Sequence, residues 1–81
     1  MSIPCTIFTT EKELSAITGL NHEQLWENGF NLDDWDIGFC CQRPLNPKTK
    51  EKWLIMQMEN YCVGYEMVKF KNLYFYMVYH S

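Results

Sequence analysis

Leu73-Tyr74-Phe75-Tyr76-Met77-Val78-Tyr79-His80 is the stretch whose reading decides the fold. Aromatic and β-branched residues dominate it, and neither Pro nor Gly interrupts it, so it reads as a β-strand. Leu73, Phe75, Met77 and Tyr79 face one side; Tyr74, Tyr76 and Val78 face the other. Neither side is polar, which places the strand at the centre of a sheet. One side serves the protein's own core. The tyrosine side is then a candidate contact surface, unless the loops at 30–36 and 43–52 fold over it.

Working outward, Lys71-Asn72 reads as a two-residue hairpin turn into that strand. The strand before it spans 61–70, with Gly64 as a bulge signal. A further strand is expected over 53–58, turned by Glu59-Asn60; the rival reading is one long bent strand over 53–70. Residues 35–42 alternate well enough for a strand, with Trp35, Ile37, Phe39 and Cys41 on one face and Asp36, Gly38, Cys40 and Gln42 on the other. Asp33-Asp34 marks the turn that enters it. Near the N-terminus, residues 3–8 form a short strand that Pro4 confines to an edge or to a strand start.

Two helices lie between. Thr10 with Glu13 is a capping box, opening a helix over 11–18 that turns Leu14, Ile17 and Ala16 inward and stops at Gly19. Asn21 with Gln24 repeats the signature for a second helix over 22–28, with Leu25 and Trp26 as its anchors and Gly29 as its end. The pattern gives one domain over 1–81 in the α+β class. Two short N-terminal helices pack on one face of a mostly antiparallel meander of four strands, or five if 53–70 divides.

The corner formed by these helices has the spacing of a helix-turn-helix reader, with Ser15, Gly19, Leu20 and Leu25 in the expected places. Its second helix would present His22, Glu23, Gln24, Glu27 and Asn28. Affinity for DNA comes largely from cations on phosphates, and here two carboxylates stand instead. A plain αα corner is the better reading, and direct nucleic-acid binding is disfavoured.

Charge is unevenly distributed. Residues 1–36 carry seven acids against Lys12 alone, while 37–81 carry six bases against Glu51, Glu59 and Glu66. An acidic half disfavours anionic partners and favours a basic one. The candidate partner-binding residues are therefore Glu23, Glu27, Asp33, Asp34 and Asp36, with Trp26, Trp35, Tyr74 and Tyr76 as aromatic anchors. Arg43, Lys48, Lys50 and Lys52 form a basic turn over 43–52, which carries an alternative as a small RNA-binding module. A second alternative is a structural or regulatory homodimer joined through the aromatic C-terminal sheet.

Motifs for chemistry are missing. Cys5, Cys40, Cys41 and Cys62 show no Cys-x-x-Cys spacing, and adjacent strand residues point to opposite faces, so Cys40 and Cys41 do not chelate one ion. Neither His22 nor His80 lies at a spacing that would activate a cysteine. Asp33, Asp34 and Asp36 lack the calcium-loop pattern, and the four glycines form no phosphate loop. No enzyme, metal or cofactor is expected. The N-terminus has no basic start and apolar run, and no segment reaches membrane-span length. These features lead to the expectation of a cytoplasmic protein with reduced, buried cysteines and no membrane association. In size and charge alone the chain resembles phage- or mobile-element-encoded inhibitors of nucleic-acid machinery, anti-CRISPR proteins among them. That resemblance implies a non-enzymatic inhibitor docking an acidic face on a basic nucleic-acid-handling protein.

Overall fold

The computed structural model describes residues 5–33, 35–44 and 64–79. Elements run in the order β1 (Cys5–Phe8), α1 (Glu11–Thr18), α2 (His22–Glu27), β2 (Trp35–Cys41), β3 (Tyr65–Phe70) and β4 (Leu73–Tyr79). This is the α+β arrangement of two short helices and a four-stranded antiparallel sheet. The strand order is β1-β2-β4-β3, so β4 is interior, as its two apolar sides require. The meander is interrupted once, where β2 pairs with β4 and not with β3. The strand expected over 53–58 lies outside the described residues, as does the first part of the one expected over 61–70.

Local chemistry sets each boundary. At α1, the Thr10 hydroxyl accepts the Glu13 N–H at 3.1 Å, and the Glu13 carboxylate accepts the Thr9 and Thr10 N–H groups at 2.8 and 3.2 Å. Gly19 ends the helix at φ 76°, a left-handed cap that returns its N–H to Ser15. At α2, Asn21 and Gln24 exchange the same pair of bonds at 2.8 and 3.0 Å. Lys71 and Asn72 both take positive φ, 50° and 65°, which is the two-residue turn matched to strand twist.

Two clusters of buried side chains sit on opposite faces of the sheet. On the helical face, Phe8, Leu14, Leu25, Phe30, Cys40, Phe75 and Met77 are buried together. Edge-to-face rings bind this cluster, with Phe30 and Phe75 centroids 5.2 Å apart and Phe8 and Phe75 6.2 Å apart. Gly38 is essential to it: Phe8, its partner in the β1–β2 register, lays its ring where a Cβ would stand. On the other face, Ile37, Phe39, Cys41, Tyr76 and Val78 are buried, with Cys5 and Tyr74 at the margin.

That second cluster corrects the expectation of an open tyrosine side. Tyr76 retains 3% of its surface and Val78 none. Tyr65, the diagonal neighbour on β3, leans against Tyr76 at 5.7 Å, and Lys69 lies 5.7 Å over the half-buried Tyr74 ring. A chain that is 47% hydrophobic has enough apolar material for two clusters instead of one.

Two further expectations change. Trp35 does not share the face of Ile37, Phe39 and Cys41. The register slips by one residue between Trp35 and Ile37, a bulge that sends Trp35 to the helical face, 5.5 Å from Phe8. The cysteines are not all reduced either. Cys5 and Cys41 are direct partners across β1 and β2, with Cα atoms 4.2 Å apart, and they form a disulfide. That separation is close to the spacing of a non-hydrogen-bonded antiparallel pair, where side chains come nearest. Cys40, one residue away, points to the opposite cluster and is a buried free thiol. Cys62 lies outside the described residues.

Candidate functional site

The helical corner is the surface with a distinct chemical character. Leu14 and Leu25 are both fully buried and bring α1 and α2 onto the sheet. Thr18 adds a buried link, donating its hydroxyl to the Leu14 carbonyl at 2.9 Å and accepting the Leu20 N–H at 3.2 Å. With Leu25 turned inward, the 3.6-residue period sends His22, Glu23, Gln24, Trp26, Glu27 and Asn28 outward, and all six are exposed. Ala16, expected to face inward, is exposed as well.

Trp26 departs most from its expected role as an inward anchor: 40% of its surface is open. Its orientation is nevertheless defined. The indole Nε1–H donates to Nε2 of His22, one turn earlier, at 3.2 Å. Nδ1 of the same ring meets the Glu11 carboxylate of α1, at 2.9 Å from Oε2 and 3.1 Å from Oε1. Both imidazole nitrogens are thus engaged, Nδ1 with the Glu11 carboxylate and Nε2 as acceptor of the indole N–H. The chain Glu11–His22–Trp26 ties the two helices together at the surface. The sequence placed His22 on the presented face of the second helix, but nothing in it paired His22 with Glu11 or Trp26. The available signal was the four-residue spacing of His22 and Trp26 on one helix.

The expected contact residues fall into three groups. Glu23 and Glu27 lie one turn apart on α2 and flank Trp26 in sequence. Asp33 and Asp36 are exposed beyond the helix, where the Asn31 side chain accepts the Asp33 N–H at 3.0 Å. The third group is absorbed by the fold: Trp35 is half-buried against Phe8, Tyr74 is half-buried, and Tyr76 is buried. Asp34 lies outside the described residues. Of the basic turn over 43–52, Arg43 is exposed, and Lys48, Lys50 and Lys52 lie outside them too.

Among the described residues, three titratable groups depart from ordinary behaviour. Burial pushes the Cys40 thiol up. Bonds from the Thr9 backbone and side chain, with those from Thr10, hold the Glu13 carboxyl below its usual 4.5. Burial, and then the adjacent Glu66 carboxylate, push the Tyr79 phenol well up, while Asn31 acts the other way. The Tyr79 hydroxyl is itself buried with no hydrogen bond of good geometry among the described residues. Among those residues, no three His, Cys, Asp or Glu side chains converge as a metal site, and no helix is long and apolar enough to cross a membrane. Comparison with known protein families, with curated proteins and with solved structures finds no match for this chain.

Proposed function

We propose that the chain is a non-enzymatic interaction protein whose acidic helical corner docks on a basic surface of a nucleic-acid-handling protein and occludes it. Carboxylates of α2 and of the segment that follows would stand in for phosphates. The encounter would take place in the cytoplasm, where such machinery works.

The observation that carries this reading is Trp26. A large indole is held open on the surface, flanked by Glu23 and Glu27, on a helix that bears no Lys or Arg. Aromatic residues with restricted freedom are the usual energetic centres of protein contacts, and surrounding charge sets partner choice and encounter rate. Lys12 is the single Lys or Arg among described residues before β2, so this half of the molecule repels anions and attracts cations.

The test is direct binding to a panel of purified basic nucleic-acid-binding proteins, with Kd measured at about 50 and about 300 mM salt. Docking of this kind weakens as salt rises, and Trp26→Ala weakens it by about thirtyfold, the effect of a central aromatic. Binding that ignores both salt and Trp26, or no binding across the panel, would reject the reading.

A further inference from the structure

The Cys5–Cys41 bridge lies apart from the acidic corner, and its placement is asymmetric. It joins β1, the four-residue outer strand, to β2 across a sequence separation of 36. Cys41 is 1% exposed, while Cys5 keeps part of its surface. The two ends of β1 are held differently. Phe8 is fully buried, seated over Gly38 and against Trp35 and Phe75. Thr6 is exposed and Ile7 is 53% open, and neither belongs to a buried cluster among the described residues. Without the bridge, residues 5–7 are held, among the described residues, by the β1–β2 ladder and by the marginal packing of Cys5 on the second cluster.

We propose that this bridge is a redox-responsive clasp, which a thiol reductant opens to release residues 5–7 from β2 while Phe8 stays anchored. The chemistry is ordinary exchange. A reductant thiolate attacks Sγ of Cys5, the more exposed of the two residues, forming a mixed disulfide and expelling Cys41 as a thiolate that takes up a proton. A second reductant thiolate attacks the reductant's sulfur in the mixed disulfide, freeing Cys5 and leaving the reductant as its own disulfide. Two electrons pass to the bridge, and two thiols become one disulfide. Cys40 takes no part: it points into the helical-face cluster, away from both sulfurs. Re-oxidation is favoured by the register, which holds Cys5 opposite Cys41 whenever β1 re-pairs.

Release uncovers residues 39–41 of β2, an unpaired strand edge able to accept an added strand. It also removes Cys5 from the margin of the Tyr76 cluster. The clasp therefore links thiol chemistry to exposure of a backbone edge, whether or not the acidic corner docks.

The test uses the full chain with Cys40→Ala and Cys62→Ala, so that only the bridge can exchange. It is equilibrated in millimolar glutathione buffers from oxidising to reducing and followed by thiol alkylation with mass spectrometry and by NMR. The expected result is reduction within the glutathione range, with loss of the cross-strand Cys5–Cys41 Hα contact and of Thr6 amide protection, Thr6–Cys40 being the hydrogen-bonded pair next to the bridge. Contacts between β2 and β4 persist, and Cys5→Ser reproduces the released state. A bridge that stays oxidised throughout, a β1 ladder that survives reduction, or loss of all native contacts on reduction would each overturn the proposal.

Discussion

Adding one methyl group at Gly38 should destabilise this protein, although the same change in an ordinary strand stabilises it. Gly inside a strand is normally worse than Ala by about 0.5–1 kcal/mol, because it loses more freedom on folding. At Gly38 the new Cβ would overlap Cε2 and Cζ of Phe8 and lie 2.8 Å from Cδ2. Phe8 cannot retreat, since it is fully buried and packed against Trp35 and Phe75. Overpacking of a full core costs about 1–3 kcal/mol, which exceeds the entropic gain. Gly38→Ala is therefore expected to lower stability by about 1–2 kcal/mol, a drop of roughly 5–15 °C in Tm for a domain of this size. The assay is urea unfolding of four proteins with the disulfide intact: wild type, Gly38→Ala, Phe8→Leu and the double variant. Leucine removes the ring, so the Gly38→Ala penalty should shrink to near zero or reverse in that background, giving a coupling of at least about 1 kcal/mol. A neutral or stabilising Gly38→Ala, or an equal penalty in both backgrounds, would refute the ring-over-glycine account.

Thr10→Ala should cost about 1 kcal/mol through loss of the α1 cap, read by the same unfolding assay. Because Glu13 is held below its usual carboxyl value by the Thr9 and Thr10 bonds, its contribution is present above about pH 4.5 and lost as pH falls through its lowered value; Glu13→Gln should flatten that part of the acid unfolding profile. Tyr79→Phe should be near neutral or slightly stabilising at pH 7, since it removes a buried hydroxyl without a well-formed bond. Tyr79 also keeps its proton longer when folded. Its contribution is therefore full below about pH 10 and declines as pH rises through the elevated value, so Tyr79→Phe should reduce the alkaline loss of stability. Replacing Cys5 and Cys41 together by serine should lower stability by up to about 4 kcal/mol, the chain-entropy value for the loop closed by a separation of 36; an unchanged urea midpoint would contradict it.

What could be read from the sequence was what depends on neighbours along the chain. Thr10 with Glu13, Asn21 with Gln24, Gly19 and Lys71-Asn72 each act within a few residues, so both helices and the final hairpin were legible. The interior position of β4 was also legible, because a strand apolar on both sides must be covered on both. What escaped depends on register. The bulge that turns Trp35 to the helical face adds one unpaired residue, and residue type does not announce it. The Cys5–Cys41 pair arises only once β1 and β2 align, so no local cysteine spacing could reveal it. The same holds for Gly38, which read as a strand residue until Phe8 was placed opposite. At the candidate site, the carboxylates of α2 were legible from charge alone. The openness of Trp26 and its bond to His22 follow from the period of α2 once Leu25 is placed inward, and the Glu11–His22 contact required the packing of α1 beside α2. The tyrosine face was misjudged because composition does not say how many clusters an apolar chain will build.

Competition with nucleic acid tests acidic-corner docking most directly. A basic nucleic-acid-binding protein that binds the chain is loaded with fluorescent duplex DNA, and the chain is titrated in at low salt. The expected result is displacement of the DNA by the wild-type chain, and none by Glu23→Lys/Glu27→Lys, whose fold remains intact by circular dichroism. Equal displacement by the charge-reversed variant, or binding that leaves the DNA in place, would contradict it.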